Sequence, residues 1–299
     1  MTIWGIDVSH NQSGLDPKKV KQEGFSFMYG KVTEGQGFRD PNFAEFRDAA
    51  KAAGMLFAAY HFLRSDSSAA EQAANTAAAI GDKSIPVIID CEINRGSRPN
   101  LQNARDYAAA LGHLGVRASA IYLPHFWWQS LGSPSLAGWK LVQALYPNNR
   151  HDFASRIYPG DNDSAWNSMG GVVPSILQFG DQVKLSSYTA NVVDADAFRG
   201  TLDQLKALEI FKDWSGSVPV PKPPTPAPVK IGGEMLLLKY QGLDAVWLVN
   251  TNVRFWVDSP DKLKVWAKIL GKTVQEIPVE PDILALIPVV GPTPPEVKK

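Results

Sequence analysis

The sequence predicts an α/β fold, in which a distorted TIM-like β/α barrel is followed by a proline-rich linker and a small C-terminal α+β domain. Two observations favour the barrel. Short apolar runs alternate with alanine-rich helical stretches over residues 1–212, which indicates parallel βαβ units. A barrel and a doubly wound sheet both fit this alternation, and the loop-rich stretch at 139–179 favours a barrel with an irregular second half.

The apolar runs predict seven strands, at 3–8, 25–32, 56–62, 85–92, 118–123, 140–145 and 175–179. Between several of them lie helical stretches rich in alanine, with polar residues on one face, at 41–53, 68–80 and 101–114. Asp40-Pro41 and Gly54 are typical of the start and the end of the first of these helices. The helices that would follow the later strands are weak.

The clearest boundary in the chain is a proline-rich segment at 217–228. Proline cannot continue a helix or a central strand, so this segment should be an extended spacer. We expect a barrel at 1–214, a linker at 215–229 and a small domain at 230–299. Within the last of these, apolar runs predict strands at 234–240, 245–250 and 253–257, and a helix at 259–270.

Composition argues against several classes of function. Lys and Arg together number 30, as do Asp and Glu, so the charge balance gives no argument for a nucleic acid partner. Cys91 is the one cysteine, and the five histidines lack H-x-x-x-H or H-E-x-x-H spacing, so no metal or other cofactor is expected. No apolar run approaches the roughly 20 residues of a membrane span, and no signal peptide is recognised at the N-terminus.

The most informative strand ends in two acids. Four apolar residues lead into Asp90 and Glu92, whose side chains should share one face, with Cα atoms about 6.6 Å apart. Active sites of β/α barrels lie at the C-terminal ends of the strands. Two carboxylates there repel each other, which raises one pKa as a general acid requires. The alternative is that both are ordinary strand-end residues that pair with Arg95 or Arg98.

Polar residues also stand at the ends of the other predicted strands. Asp7 ends the first strand, Glu34 follows the second, and Asp194 lies near the close of the body. Tyr60, Tyr122 and Gln178 lie at strand ends as well, where they line a groove or simply pack.

Five short motifs follow one another along residues 1–212. They are Gly5-Ile6-Asp7-Val8-Ser9, Lys31-Val32-Thr33-Glu34-Gly35, Tyr60-His61-Phe62, Asp90-Cys91-Glu92 and Asp194-Ala195-Asp196-Ala197-Phe198. In this order and spacing they resemble the glycoside hydrolase family 25 lysozymes, in which K-a-T-E-G, Y-H-F, D-x-E and D-x-N-x-F follow a similar opening. Each motif is weak alone, but the ordered set is specific.

The resemblance implies a distorted β/α barrel that hydrolyses the β-1,4 bond between N-acetylmuramic acid and N-acetylglucosamine in bacterial peptidoglycan. Glu92 would be the proton donor, and Asp7, Asp90 and Asp194 would complete the acidic cluster. The second carboxylate, Asp90 or alternatively Asp194, would act as a direct nucleophile or would steady the substrate's own 2-acetamido group. We favour the second mechanism, with Asp90 in that role.

Two departures from the family pattern concern the sugar groove. Residues 141–146 lack the tryptophan that the family often has in this strand, so Trp127, Trp128 or Trp139 is expected to supply an aromatic wall. Trp127 is the first choice, because aromatic faces pack on pyranose rings, and a core anchor is the alternative. Asp196 stands where an asparagine is usual.

The organisation favours a bacteriophage-type endolysin that waits in the host bacterial cytoplasm and then reaches the cell wall. The C-terminal domain would bind the wall, since tethering raises the local substrate concentration, or would mediate oligomerisation. A barrel that binds wall polysaccharide without cutting it is the runner-up from another class. A hydrolase for another N-acetylated glycan, such as chitin, is the third reading.

Overall fold

The computed structural model describes residues 2–211 in full and the backbone of four strands between residues 236 and 277. The chain divides into two compact units, residues 1–220 and 221–299, which are described separately. The predicted linker at 215–229 and the predicted helix at 259–270 lie outside the described residues. Among the described residues, no helix has the length and apolar character needed to cross a bilayer.

Eight strands of the first unit close into a mixed barrel, which confirms the predicted fold class. The unit contains ten strands, of which eight form the barrel and two are short additions. In chain order they are β1 (Thr2–Val8), β2 (Phe25–Glu34), β3 (Phe38–Arg39), β4 (Leu56–Phe62), β5 (Val87–Asp90), β6 (Ala118–Pro124), β7 (Leu141–Ala144), β8 (Asp152–Phe153), β9 (Ile176–Lys184) and β10 (Val193–Arg199). The barrel order is β1-β2-β4-β5-β6-β7-β9-β10, and β10 pairs with β1 again. The two-residue strands β3 and β8 pair with β2 and β9.

Helices connect the strands mainly in the first half of the barrel. They are α1 (Pro17–Gln22), α2 (Phe43–Ala52), α3 (Ala69–Ala79), α4 (Leu101–His113), α5 (His125–Ser130), α6 (Ala154–Ile157) and α7 (Leu202–Ala207). The three predicted helices correspond to α2, α3 and α4. Side-chain caps fix two of their starts: Ser68 accepts from the Glu71 amide before α3, and Asn100 accepts from two amides before α4.

Strand β10 runs against the predicted parallel order. It pairs antiparallel with both β1 and β9, whereas the other neighbouring strands of the barrel pair in parallel. The β1–β10 register places Asp7 opposite Asp194 and Gly5 opposite Asp196. The start of β10 therefore lies beside the carboxyl end of β1, where a barrel of this kind places its site.

The barrel interior has an apolar layer below a polar one. Side chains alternate between the two faces of a strand, and the inward apolar ones form a buried cluster of Ile3, Phe27, Tyr29, Ala58, Ile88, Ala120, Val142, Ile176 and Phe198, joined by Leu205, Ile210 and Phe211. Gly5 is required here, because a Cβ on it would lie 2.0 Å from the Phe27 ring. The inward positions above this cluster carry acids, tyrosines and amides.

The second unit contains a four-stranded sheet in the order β13-β12-β11-β14. Its strands are β11 (Leu236–Tyr240), β12 (Val246–Val249), β13 (Arg254–Val257) and β14 (Gln275–Ile277). β12 pairs antiparallel with β11 and with β13, and β14 runs parallel to β11. The first three strands overlap the predicted ones, and β14 was not predicted.

Candidate active site

The carboxyl end of the barrel surrounds a pocket of about 260 Å³. Seven of the nine predicted site residues line it: Asp7, Tyr60, Asp90, Glu92, Tyr122, Gln178 and Asp194. Glu34 and Trp127 are not among its lining residues. The pocket collects side chains from all eight strands of the barrel, which lie far apart in the sequence.

The end of β5 places two of the acids. Asp90 is the last residue of the strand, and Glu92 follows two positions later on the same side of the chain. Cys91 faces the other way, as predicted: its thiol is buried in the outer core, 3.8 Å from the carbonyl oxygen of Asn100. The alternation of a β-strand thus puts both carboxyl groups into the pocket.

A hydrogen-bond chain holds the acid on β1. The side-chain amide nitrogen of Gln178 donates to Asp7 Oδ2 at 2.7 Å. The amide oxygen of Gln178 accepts from the Tyr122 hydroxyl at 2.9 Å and from the Tyr146 hydroxyl. Because both ends of the Gln178 amide are engaged, its nitrogen is fixed toward Asp7. Asp194 lies directly across from Asp7 in the β1–β10 ladder.

Burial and charge make Glu92 a suitable proton donor. Burial raises the pKa of Glu92 to about 7; the negative charge of Asp7 adds to this rise, and the Lys31 ammonium opposes it. A carboxyl group with this pKa still holds its proton in part of the molecules near neutral pH. Acid catalysis of this kind is most effective when the pKa lies near the working pH.

The neighbouring acids differ in how strongly they hold a proton. Burial raises the pKa of Asp7 to about 6, and hydrogen bonds from Gln178, Asp194 and Asp196 limit this rise. The pKa of Asp90 lies well above its usual range because of burial and the nearby charge of Glu92. Asp7 is therefore the acid that ionises first among these groups, whereas burial and the charge of Glu92 make Asp90 harder to ionise.

Lys31 supplies positive charge to this acidic pocket. Its ammonium lies 4.8 Å from the centre of the Phe62 ring and donates to Glu34 at 2.6 Å. Glu34 also lies 3.6 Å from the guanidinium of Arg64. Glu34 is not among the residues that line the pocket in this structure; these two cations engage its carboxylate, which thereby anchors Lys31.

Trp127 is a core residue, which favours the core-anchor alternative over the sugar-stacking wall. The side chain is 3% exposed and belongs to the core between the barrel and its helices. Its indole N–H donates to the carbonyl oxygen of Pro99 at 3.0 Å. Trp128 is anchored in the same way, through Pro134. The aromatic lining of the pocket comes instead from residues of β2, β4 and β6, which are Tyr29, Tyr60, Phe62 and Tyr122.

Sequence reasoning missed several lining residues. Tyr29 and Lys31 lie two positions apart on β2, and the same alternation that placed Asp90 and Glu92 could have found them. Asn11 and Gln12 come from a short 3-10 helix after β1, which no strand pattern signals. His61 lies outside the pocket: it hydrogen bonds to Thr33 and Gln72, and burial lowers its pKa to about 3.

Metal binding finds no geometric support among residues 2–211. No group of three or more His, Cys, Asp or Glu side chains there is arranged to hold an ion. The acids of the pocket instead engage Gln178 and one another. The arrangement is suited to proton transfer and to the stabilisation of positive charge.

Comparison with known proteins identifies the family to which this barrel is similar. The model of the family described as "Glycosyl hydrolases family 25" matches residues 6–158. Lysozyme M1 of Streptomyces globisporus is 30% identical over 142 residues, which cover 43% of this chain and 48% of that protein. The autolytic lysozyme of Clostridium acetobutylicum is 31% identical over 133 residues, or 43% and 41% of the two chains. The match thus spans about half the length of these curated relatives or less.

A solved structure agrees with this family. The muramidase from Trichobolus zukalii is similar with a TM-score of 0.56 and 27% sequence identity, over 70% of this chain and 99% of that one. The family match covers just over half of the chain, and the similar structure extends over most of the described barrel. The chain belongs to glycosyl hydrolase family 25.

Proposed function

We propose that this protein is an N-acetylmuramidase, a lysozyme that hydrolyses the β-1,4 bond between N-acetylmuramic acid and N-acetylglucosamine in bacterial peptidoglycan. The observation that carries the proposal is Glu92, whose pKa is raised to about 7 in a pocket that also holds Asp7, Asp90 and Asp194. Family membership and the lysozyme relatives support the choice of substrate. A barrel that only binds glycan would have no use for so costly a set of buried acids.

Glu92 acts as the acid in this scheme. It donates its proton to the glycosidic oxygen as the C–O bond breaks, and it later accepts a proton from the water that completes hydrolysis. Asp7, the acid that ionises first, supplies negative charge opposite the positive charge that develops at the anomeric carbon.

Asp90 is suited to assist the substrate's own acetamido group. A direct nucleophile must be ionised, and burial raises the pKa of Asp90 well above its usual range, which makes ionisation harder. This favours attack by the 2-acetamido oxygen of the substrate over direct attack by Asp90. Asp90 Oδ1 is buried and accepts no hydrogen bond from residues 2–211, so it is free to accept one from the acetamido N–H.

The test is digestion of purified peptidoglycan by the wild type and by Glu92→Gln, followed by mass spectrometry of the fragments. We expect fragments with N-acetylmuramic acid at the reducing end from the wild type and none from the variant. Glu45→Gln is the matched control, because Glu45 is an exposed residue of α2. Cleavage of chitin but not of peptidoglycan would show that the substrate is another N-acetylated glycan. Cleavage of neither by the wild type would contradict the proposal.

We further propose that the protein is a bacteriophage endolysin, held in the host cytoplasm until lysis and then active on the cell wall, with residues 230–299 as a wall-binding domain. The two-unit organisation supports this. Cells that express the protein should lyse only when the membrane is permeabilised, and a fragment ending at Pro219 should bind whole walls less well than the full chain. Equal wall binding, together with a change from oligomer to monomer on truncation, would favour an oligomerisation domain instead.

A further inference from the structure

Asp196 is a buried acid that the scheme above leaves without a role. It lies on β10 two positions after Asp194, and its side chain is 0% exposed. The β1–β10 ladder places it opposite Gly5, which contributes no side chain. Asp196 therefore sits just below the pair formed by Asp7 and Asp194, on the same inner face of the barrel.

No donor in the described barrel satisfies this carboxyl group. Neither oxygen of Asp196 accepts a hydrogen bond from residues 2–211. Gln178 faces it across the β9–β10 ladder, but the Gln178 amide nitrogen donates to Asp7. A buried carboxylate without a donor is strongly disfavoured, so the group must hold a proton unless a cation compensates it.

The ionisable groups that face Asp196 supply no such cation. They are Asp7 on β1, Asp194 on the same strand and Tyr29 on β2. Burial raises the pKa of Asp196 well above its usual range, and the charges of Asp7 and Asp194 raise it further. Two facing carboxyl groups can share a hydrogen bond only if one of them is protonated, and such a bond between Asp7 and Asp196 lowers the pKa of Asp7 and raises that of Asp196.

We propose that Asp196 is a positioning residue that stays protonated at neutral pH and donates its hydroxyl hydrogen to the carboxylate of Asp7. The bond assigns the proton to Asp196 and the negative charge to Asp7. The charge on Asp7 in turn raises the pKa of Glu92, so Asp196 acts on the proton donor through Asp7. This role rests on the proposed muramidase function only in its effect on catalysis.

The proposal also accounts for the departure from the family pattern. Asparagine, the usual residue at this position, is neutral and presents an N–H donor of similar size and shape. A protonated aspartic acid offers an O–H donor in the same place. On this proposal, a neutral aspartic acid and an asparagine would present a donor at the same point.

Asp196→Asn and Asp196→Leu separate the possible states of this residue. Asparagine keeps the donor and the neutral charge, so the acidic limb of the pH profile of kcat/KM, set by Asp7, should stay within about 0.3 pH units of the wild type, with less than about threefold loss of rate at the optimum. Leucine removes the donor without opening space for water, so this limb should move to higher pH by about 0.5–1 unit. Asp203→Asn, an exposed acid at the start of α7, is the control.

Each contrary result excludes the proposal. If Asp196 were ionised, Asp196→Asn would remove a negative charge, lower the pKa of Asp7 and shift the acidic limb to lower pH. If Asp196 only packed, the limb would stay in place in the leucine variant. Should Asp196→Leu fail to fold, Asp196→Val removes the donor with little added space and gives the same comparison.

A second measurement does not depend on activity. Carbon-13 NMR of the full chain labelled at aspartate carboxyl groups, assigned through Asp196→Asn, should show the Asp196 signal of a protonated acid at pH 7. The signal of an ionised carboxylate at that pH would overturn the proposal even in an active enzyme. A protonated signal in a protein that cleaves no peptidoglycan would retain Asp196 as proposed and reject the muramidase function alone.

Discussion

The two flanks of the pocket are built differently and hold their charges differently. On the parallel flank, β5 ends in Asp90 and Glu92, whose proton affinities are both raised by burial. On the other flank, the reversed strand β10 sets Asp194 beside Asp7, and hydrogen bonds keep the pKa of Asp7 near 6. The parallel flank thus holds the proton and the reversed flank holds the negative charge. Burial alone makes carboxyl groups neutral, and donors are needed to keep one ionised.

The largest expected effect, after loss of Glu92 itself, is on the parallel flank. Asp90→Asn should lower kcat by about 100- to 1,000-fold, because the amide oxygen can still accept a hydrogen bond from the acetamido N–H but the amide, unlike a carboxylate, cannot supply negative charge opposite the oxazolinium-like intermediate. Rates on soluble peptidoglycan fragments, with Asp203→Asn as control, would measure this. A covalent glycosyl–enzyme adduct at Asp90, trapped with a fluorinated substrate, would instead establish Asp90 as a direct nucleophile.

The next effect tests the charge on the reversed flank. Asp7→Asn should lower kcat/KM by about 10- to 100-fold, or about 1.4–2.7 kcal/mol in transition-state stabilisation. It should also move the alkaline limb of the pH profile to lower pH, because the charge of Asp7 contributes to the raised pKa of Glu92. The limb would be located from kcat/KM between pH 4 and 9. If the alkaline limb stays in place, the charge of Asp7 does not influence the pKa of Glu92, and the prediction is wrong.

The raised pKa of Glu92 should make the free energy of unfolding depend on pH. The pKa of Glu92 is about 7 in the folded protein and near 4.5 when unfolded, so the folded state binds this proton more tightly. The free energy of unfolding therefore falls as pH rises from about 4.5 to 7 and stays low above that range. Glu92→Gln removes this loss and should raise Tm at pH 8 by a few degrees, at about 2–4 °C per kcal/mol, but not at pH 4.

Calorimetry at both pH values would measure this, with Glu45→Gln as the control. An equal gain in Tm at pH 4 and pH 8 would show that the effect comes from packing and not from the proton.

The smallest effect on activity concerns the aromatic residues outside the flanks. Trp127→Phe should change KM by less than about twofold and lower the stability by about 1–3 kcal/mol, since the buried carbonyl of Pro99 loses its donor. Tyr122→Phe should do more to activity, because it removes a hydrogen bond from Gln178, which holds Asp7. Denaturant unfolding and kinetics of the two variants would distinguish them. A large rise of KM in Trp127→Phe would indicate that Trp127 contacts the substrate.

Sequence reasoning was most accurate where the predictive pattern lies within a single strand. The run into Asp90 and Glu92 predicted both the end of β5 and the direction of its acids, because the two-residue period of a strand is a local property. It failed for β10, where Asp194 and Asp196 point into the barrel and alternate with apolar residues that point outward. Inward acids hide a strand from any method that looks for apolar runs.

The choice between groove and core for Trp127 could not be made from the sequence for a related reason. Trp127 lies three residues after the end of β6, close in sequence to strand-end residues that line the pocket. Whether its indole faces the groove or the core depends on how α5 turns against Pro99 and the helices around it. That orientation is set by packing between distant segments, and no local pattern encodes it.

The sequence by itself determined the α/β barrel, three of its helices and the acids at the strand ends, because strand alternation, helix caps and ordered motifs are local. Tertiary structure alone decided that β10 runs antiparallel, that Gln178 keeps Asp7 ionised and that Glu34 anchors Lys31 outside the pocket. It also decided which carboxyl groups hold protons. The reason is physical: a pKa depends on burial and on the donors and charges that distant strands bring within reach, and these exist only once the barrel has closed.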